Sequence, residues 1–296
     1  MSNLPEIVYY YCKPATFESI IRKRKLWLCD MMKTNDYREI DYVLDEIIKT
    51  ANKAFFSSIM ASEDADLVEK TVKNRIQFYK KCHYWLAICF STQKDDLGQW
   101  RAYGGDGLGF AIGFDVKDLQ AFTSHPCFQF AAIKYGENSK NGFVQKATAS
   151  LLEELVACVN RNSIRAKTGL NLKGHGIINQ WGDQLTSKVC FHKSEAFSSE
   201  KEYRLCYTRT LLDKDWPTLL DPDTNKGSML HNLATTFKNN ELHLHLEKEF
   251  PASAIKEIVI GPNCRISSRE MQLLLAINKF DPEKIAITPS EVTYRR

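Results

Sequence analysis

The chain has 296 residues, 44% of them hydrophobic and 26% charged, with a formal net charge of +4. That composition fits a well-packed globule, and the charge is too mild to demand nucleic acid. No apolar run is long enough to span a bilayer and residues 1–12 lack the parts of a signal peptide, so the chain is expected to stay in the cytoplasm, with no membrane partner and its nine cysteines reduced.

Ile7–Cys12 is a β-prone run holding three consecutive tyrosines, Tyr9, Tyr10 and Tyr11. Pro14 suits the first turn of a helix, where its missing N–H costs nothing. Phe17, Ile20 and Ile21 give that helix a buried stripe. Arg22–Lys25 crowd its last turn, where cations complement the helix dipole. Leu26–Cys29 reads as a short strand, followed by a turn at Lys33-Thr34-Asn35-Asp36. Ile40, Val43, Leu44, Ile47, Ile48 and Ala51 then recur at helical spacing. Residues 63–82 read as a second helix, more polar and so more exposed. Together the two make a helical excursion at about 37–82.

The most informative stretch is His83–Asp115. Trp85–Ser91 and Leu108–Phe114 are short, apolar and bounded by turn residues, as buried strands are. Between them runs a polar loop carrying Trp100, Arg101 and Tyr103 and ending in Gly104, Gly105, Gly107 and Gly109. Glycines there permit positive φ and close backbone approach. A wet loop of aromatics between dry strands reads as a pocket wall.

Downstream, Ile133–Tyr135 reads as a strand and Gln145–Val159 as an amphipathic helix. Residues 160–176, polar and glycine-bearing, are the best candidate for a mobile loop. Tyr203–Tyr207 has strand character. If that strand begins by Glu200, period two puts Glu200 and Glu202 on one face. Asp213–Lys226 is a polar connection. Glu241–Leu246 alternates leucines with His243 and His245 and reads as a solvated strand face. Ile255–Ile260 is a buried strand stopped by Gly261-Pro262. Ser267 and Glu270 form a capping box, and Ile285–Thr288 is a last strand. The order implies an α+β fold: one domain over residues 1–296, built on a mixed, mostly antiparallel sheet.

There is no phosphate-binding G-x-x-x-x-G-K-[ST], no G-x-S-x-G, no H-E-x-x-H and no dinucleotide-type glycine turn between strand and helix. Polar residues in apolar settings remain. Singly, each has a structural explanation: Ser91-Thr92 as a strand end, Asn35-Asp36 as a turn, Glu202 and Arg204 as a surface pair.

Taken together, they form four motifs. Tyr9-Tyr-Tyr-Cys, Phe17-Glu-Ser-Ile-Ile, Leu26-Trp-Leu-Cys-Asp and Asn35-Asp make the first. Cys89-Phe-Ser, Trp100-x-x-Tyr103, Gly109-Phe and Ile112-Gly-Phe-Asp make the second. Lys193, Phe197 and Glu200-x-Glu202-Tyr-Arg make the third, and Ile258-Val-Ile-Gly-Pro the fourth. In this order they resemble a bacterial family of domains of unknown function, number 2971, over nearly the whole chain. The sequence departs from that pattern at Tyr10, where the family often has His or another basic residue, and at Tyr37, where it usually has Pro.

More weakly, the chain is similar to ADP-ribosyltransferases. These carry an aromatic or basic residue near the NAD ribose on one strand, a Ser-Thr-Ser-like element on a second and a Glu, often Glu-x-Glu, on a third. Tyr10, Ser91-Thr92 and Glu200-Lys201-Glu202 occur here in that order. The likeness implies an ADP-ribosyltransferase or NAD glycohydrolase acting as an effector in bacterial stress or phage defence, with NAD as co-substrate and no metal. It makes Glu202 the catalytic carboxylate, Glu200 its acceptor-side partner, and Ser91 and Tyr10, with Thr92, substrate positioners. Tyr10, Trp100 or Tyr103 would stack on nicotinamide, and Arg101 or Lys193 would meet the pyrophosphate. The implied partners are a small nucleotide and a protein or nucleic-acid acceptor.

Two other readings stand beside it. One is a nuclease or nucleic-acid-binding effector, with Arg22–Lys25, Arg161, Arg165 and Lys167 on phosphates and Trp100 on a base. The other is a non-catalytic sensor or interaction module, with Trp100–Tyr103 as its recognition loop and Glu202 paired to Arg204 or Lys193.

Overall fold

A computed structural model describes residues 4–34, 38–58, 60–159, 165–166, 169–170, 172–215, 219 and 229–294. The Asn35-Asp36 turn, Tyr37, Arg161, Lys167 and most of the 213–226 connection lie outside these. The strands are β1 Ile7–Cys12, β2 Lys25–Asp30, β3 His83–Ser91, β4 Phe110–Asp115, β5 Phe128–Ala132, β6 Lys134–Tyr135, β7 Arg165–Ala166, β8 Gly169–Leu170, β9 His192–Lys193, β10 Glu202–Thr210, β11 Leu233–Lys238, β12 Glu241–Glu249, β13 Ile255–Ile260 and β14 Ala286–Pro289. The helices are α1 Pro14–Lys23, α2 Glu39–Thr50, α3 Lys53–Ser57, α4 Ser62–Cys82, α5 Leu97–Ala102, α6 Val116–Gln120, α7 Glu137–Val159, α8 Leu172–Val189 and α9 Ser268–Ile277. The fold is α+β, as expected.

Local signals explain many of these elements. Proline opens α1, which buries Phe17, Ile20 and Ile21. The Ser267–Glu270 capping box forms in both directions. Other expectations hold with additions or need correction. Helix α4 is more exposed than α2, as its polarity implies, yet Ala65, Val68, Val72, Ile76 and Tyr79 are all fully buried, because the stripe is set by their spacing and not by mean polarity. The loop after β3 contains α5, whose first turn is capped by the Asp96 carboxylate accepting from the Gln99 N–H. Part of the span expected to be a mobile loop is the start of α8; the rest of it lies largely outside the described residues.

The strands run β11-β12-β2-β3-β1-β4-β13-β14 in one sheet, with β10 on β3 and β5 on β10. Among the described residues only β13 and β14 pair in parallel there. Strands β3 and β4 are not neighbours, since β1 lies between them. β10 covers one whole edge of β3, from Glu202 opposite Ser91 to Thr210 opposite His83. The other edge is divided. β1 meets it at Ser91 through Tyr9, and β2 meets it at Ala87 and Leu86 through Cys29 and Asp30. Among the described residues no strand pairs with Ile88, Cys89 and Phe90 on that edge, so the sheet forks there.

Alternation along the strands sorts side chains onto two faces. Val8, Leu26, Leu28, Leu86, Ile88, Phe90, Leu205 and Tyr207 enter one core. Trp85, Ala87 and Cys206 enter another, with the apolar stripes of α2, α4, α7 and α8. The second face also carries Trp27, Cys29, Cys89, Glu202 and Arg204 around the fork.

Candidate functional site

A cleft of about 450 Å³ opens at the fork, a size that takes a small-molecule ligand. Tyr10, Tyr103, Lys193, Glu200 and Glu202, all named from the sequence, line it, together with Cys89, Glu39 and Arg204.

The strand does not begin by Glu200. Glu200 closes a 3-10 turn, Lys201 takes a left-handed φ of 44°, and β10 starts at Glu202. The same-face argument therefore fails, yet the two carboxylates still converge. Lys193 Nζ donates to Glu200 Oε2 at 2.6 Å and to Glu202 Oε2 at 3.2 Å. The Tyr103 hydroxyl donates to Glu200 Oε1 at 2.8 Å.

Behind them lies Arg204, read from sequence as a surface residue and found 1% exposed. Its Nε donates to Glu202 Oε1 at 2.8 Å and its Nη1 to Glu39 Oε1 at 2.6 Å, with a further bond to the Cys190 carbonyl. The Glu202 N–H donates to the Tyr135 hydroxyl at 2.8 Å.

Burial would raise the Glu202 carboxyl, but the charges of Arg204 and Lys193 outweigh it and hold the group below the ordinary glutamate value. Burial prevails at Glu39, which is raised despite Arg204. Burial also opposes charge on Lys193, but the surrounding carboxylates keep it protonated. Burial, then Glu202, push the Cys89 thiol well up, so Cys89 is no thiolate nucleophile.

Four expected site residues stand elsewhere. Trp100 is fully buried and packs in a small core with Tyr9, Tyr11, Ala111 and Val259. The α5 turn carries it inward, and its Nε1 donates to Asp95 at 2.6 Å. Arg101 lies 4.8 Å from the Tyr294 ring, off the cleft. Ser91 and Thr92 are absent from the cleft wall. The Ser91 hydroxyl donates to the Glu200 carbonyl at 2.8 Å and accepts from the Gln93 N–H, so it ties the β3 end to the glutamate turn.

Tyr10 does reach the cleft. Its side chain alternates away from Tyr9 and Tyr11, packs partly buried against the first core and meets Phe90 edge-on at 6.1 Å while lining the cleft. Lys193 is occupied by two carboxylates and is not a free cation for a pyrophosphate. His245 is not on a solvated face: it is 3% exposed and stacks on Trp27.

Sequence reasoning missed Glu39, Cys89, Tyr135 and Trp27 as site residues. Glu39 gives no signal, since an acidic residue in a first helical turn is ordinary dipole chemistry. Trp27 and Cys29 did give one, as alternate residues of a short strand that share a face. Among the described residues no group of three or more His, Cys, Asp or Glu side chains is placed to hold a metal ion, and no helix is long and apolar enough to cross a membrane.

The molecule is thus an α+β protein whose forked sheet holds a buried, ion-paired carboxylate pair in a cleft. Residues 99–205 match the family model described as Protein of unknown function (DUF2971). This bears out the family resemblance over that segment, which holds Trp100 through Asp115 and Lys193 through Arg204. No curated protein and no solved structure matches the chain.

Proposed function

We propose that the protein cleaves the nicotinamide–ribose bond of NAD and passes ADP-ribose to an acceptor or to water. One observation carries the reading. Three motifs far apart in sequence lie on adjacent strands, with Tyr9 and Glu202 both opposite Ser91, and the Glu200 and Glu202 carboxylates meet in the cleft beside them.

As the glycosidic bond breaks, positive charge builds on the ribose. A fixed carboxylate stabilises such an oxocarbenium-like state and orients the ribose hydroxyls. Glu202 suits that role because it stays ionised at neutral pH. Tyr103, at the cleft wall and 39% exposed, offers a ring to the nicotinamide. An effector role in bacterial stress or phage defence, and residence in the cytoplasm, rest on family likeness and on the sequence.

The test is nicotinamide release from NAD, with and without lysate protein and nucleic acid as acceptors. Glu202→Gln keeps the shape and a bond to Arg204. It should lower the rate about 100-fold or more, as loss of a charge-stabilising group does, while the protein stays folded. No release under any condition, or release by Glu202→Gln at the parent rate, refutes the proposal.

A second reading is a non-catalytic ligand-binding module. It is favoured by the pairing of both Glu202 oxygens, one with Arg204 and one with Lys193. In that case Glu202→Gln lowers stability and there is no turnover to lose.

A further inference from the structure

The cleft has a second half, on the other branch of the fork. It is lined by Trp27 of β2, His243 and His245 of β12, and Lys238 at the end of β11. Trp27 and His245 sit diagonally across the β2–β12 ladder, where His245 faces Cys29 and Glu247 faces Trp27. Their rings stack 4.0 Å apart at 25°. Trp27 is still 37% exposed, so ring surface remains for a second planar partner.

His245 backs that ring. It is almost wholly buried, yet neither ring nitrogen has a hydrogen-bond partner among the described residues. Glu247 Oε1 stands 4.0 Å from Nε2, beyond hydrogen-bond reach. Buried polar atoms left unpaired are costly and uncommon. Both nitrogens are shielded from solvent while the ring covers one side of the indole, so a ligand meets Trp27 and not the imidazole edge. Burial holds the imidazole below its usual pKa, so the ring stacked on Trp27 is neutral.

Charge separates the two halves. Glu39, Glu200 and Glu202 dominate the first, where Lys193 is already engaged, whereas the described residues of the second hold one carboxylate, Asp30, beside Lys33, which pairs with Glu241, and Lys238.

We infer that this second half binds the base-and-phosphate end of a nucleotide: a flat heteroaromatic base stacks on the exposed part of Trp27, and Lys238 meets the phosphate. The assignment of this end to the adenylate half of NAD rests on the NAD-cleaving reading; the nucleotide site itself does not.

The experiment is calorimetric titration of the full chain with AMP, adenosine and nicotinamide mononucleotide. AMP should bind. Trp27→Ala should weaken AMP roughly tenfold or more, the scale of a lost base–aromatic stack, and nicotinamide mononucleotide less than about twofold. Trp27→Phe, which keeps a stacking ring, should recover most of the AMP affinity and guards against simple misfolding. Lys238→Ala should weaken AMP but not adenosine. The site falls if the parent protein does not bind AMP, or if Trp27→Ala or Lys238→Ala leaves AMP binding unchanged; equal weakening of both nucleotides by Trp27→Ala overturns the adenylate assignment. Nicotinamide release without AMP binding sinks this site and leaves the NAD reading standing. Trp27-dependent AMP binding without release does the reverse.

Discussion

The Arg204 guanidinium divides its donors among Glu202, Glu39, the Cys190 carbonyl and the Met31 sulfur. Replacing it with Met would strip the buried Glu39 of its cation and leave Glu202 with Lys193 alone. Breaking a buried ion pair from one side costs about 3–5 kcal/mol, so Arg204→Met should lower the unfolding free energy read from a urea titration by an amount of that order, with a lower midpoint. Lys should not rescue it, because one ammonium lacks the fork that reaches both glutamates. A midpoint unchanged in Arg204→Met would show that the network contributes nothing to stability.

His192 obeys the same physics with the opposite charge. It is 3% exposed and stacks on Phe143, and burial, helped by Lys134, lowers its pKa to about 4. The native ring stays neutral where the unfolded one protonates. Its contribution is therefore complete above about pH 6.5 and is lost as pH falls toward about 4, at up to about 1.4 kcal/mol per pH unit. His83, lowered to about 3 chiefly by burial, carries the loss further. Thermal melts from pH 7 to 4 should show a falling midpoint, with a shallower fall in His192→Phe; equal slopes in the two proteins would exclude His192 as the cause.

At the scale of elements, backbone contacts matter more than side chains. A Cβ on Gly109 would sit 2.0 Å from the Cys12 carbonyl oxygen, where β1 and β4 end together. Neither backbone can yield without opening that junction, so Gly109→Ala should cost about 3 kcal/mol or more, the upper range of overpacking. By contrast Ser267→Ala, which removes a cap at an exposed helix start, should cost about 1 kcal/mol. Melting temperatures of the two variants should rank in that order.

Elements were legible where the signal was local. β1 and β13 match their apolar runs residue for residue. α8 was hidden by its glycines, which lower intrinsic helix propensity. Gly182 is there for packing: a Cβ would lie 2.6 Å from the Tyr79 ring. The β11–β12 hairpin had a usable signal in Asn239-Asn240, both at positive φ, as the tight turn between right-twisted strands requires.

Across the molecule, the helical layer and the sheet share one buried seam. Trp85 of β3 packs among the α2, α4, α7 and α8 stripes and donates to the Thr186 carbonyl at 2.7 Å. Far-UV circular dichroism and tryptophan fluorescence should therefore follow one urea transition. Trp85→Ala should shift both by about 3–5 kcal/mol. Two separated transitions would mean that the helices unfold independently of the sheet.

Period-two and period-3.6 patterns, a proline start and a capping box act within a few residues, so the sequence by itself determined many of the elements, the α+β class and the glutamates of the third motif. It did not reveal that Trp100 lies inside, that Arg204 is buried, or that Glu39 meets it across 165 residues of chain. Those follow from the order of the strands. β1, β2 and β10 converge on β3 from distant parts of the chain, and only that convergence creates the fork, decides which faces look into it, and brings the carboxylates to one cation.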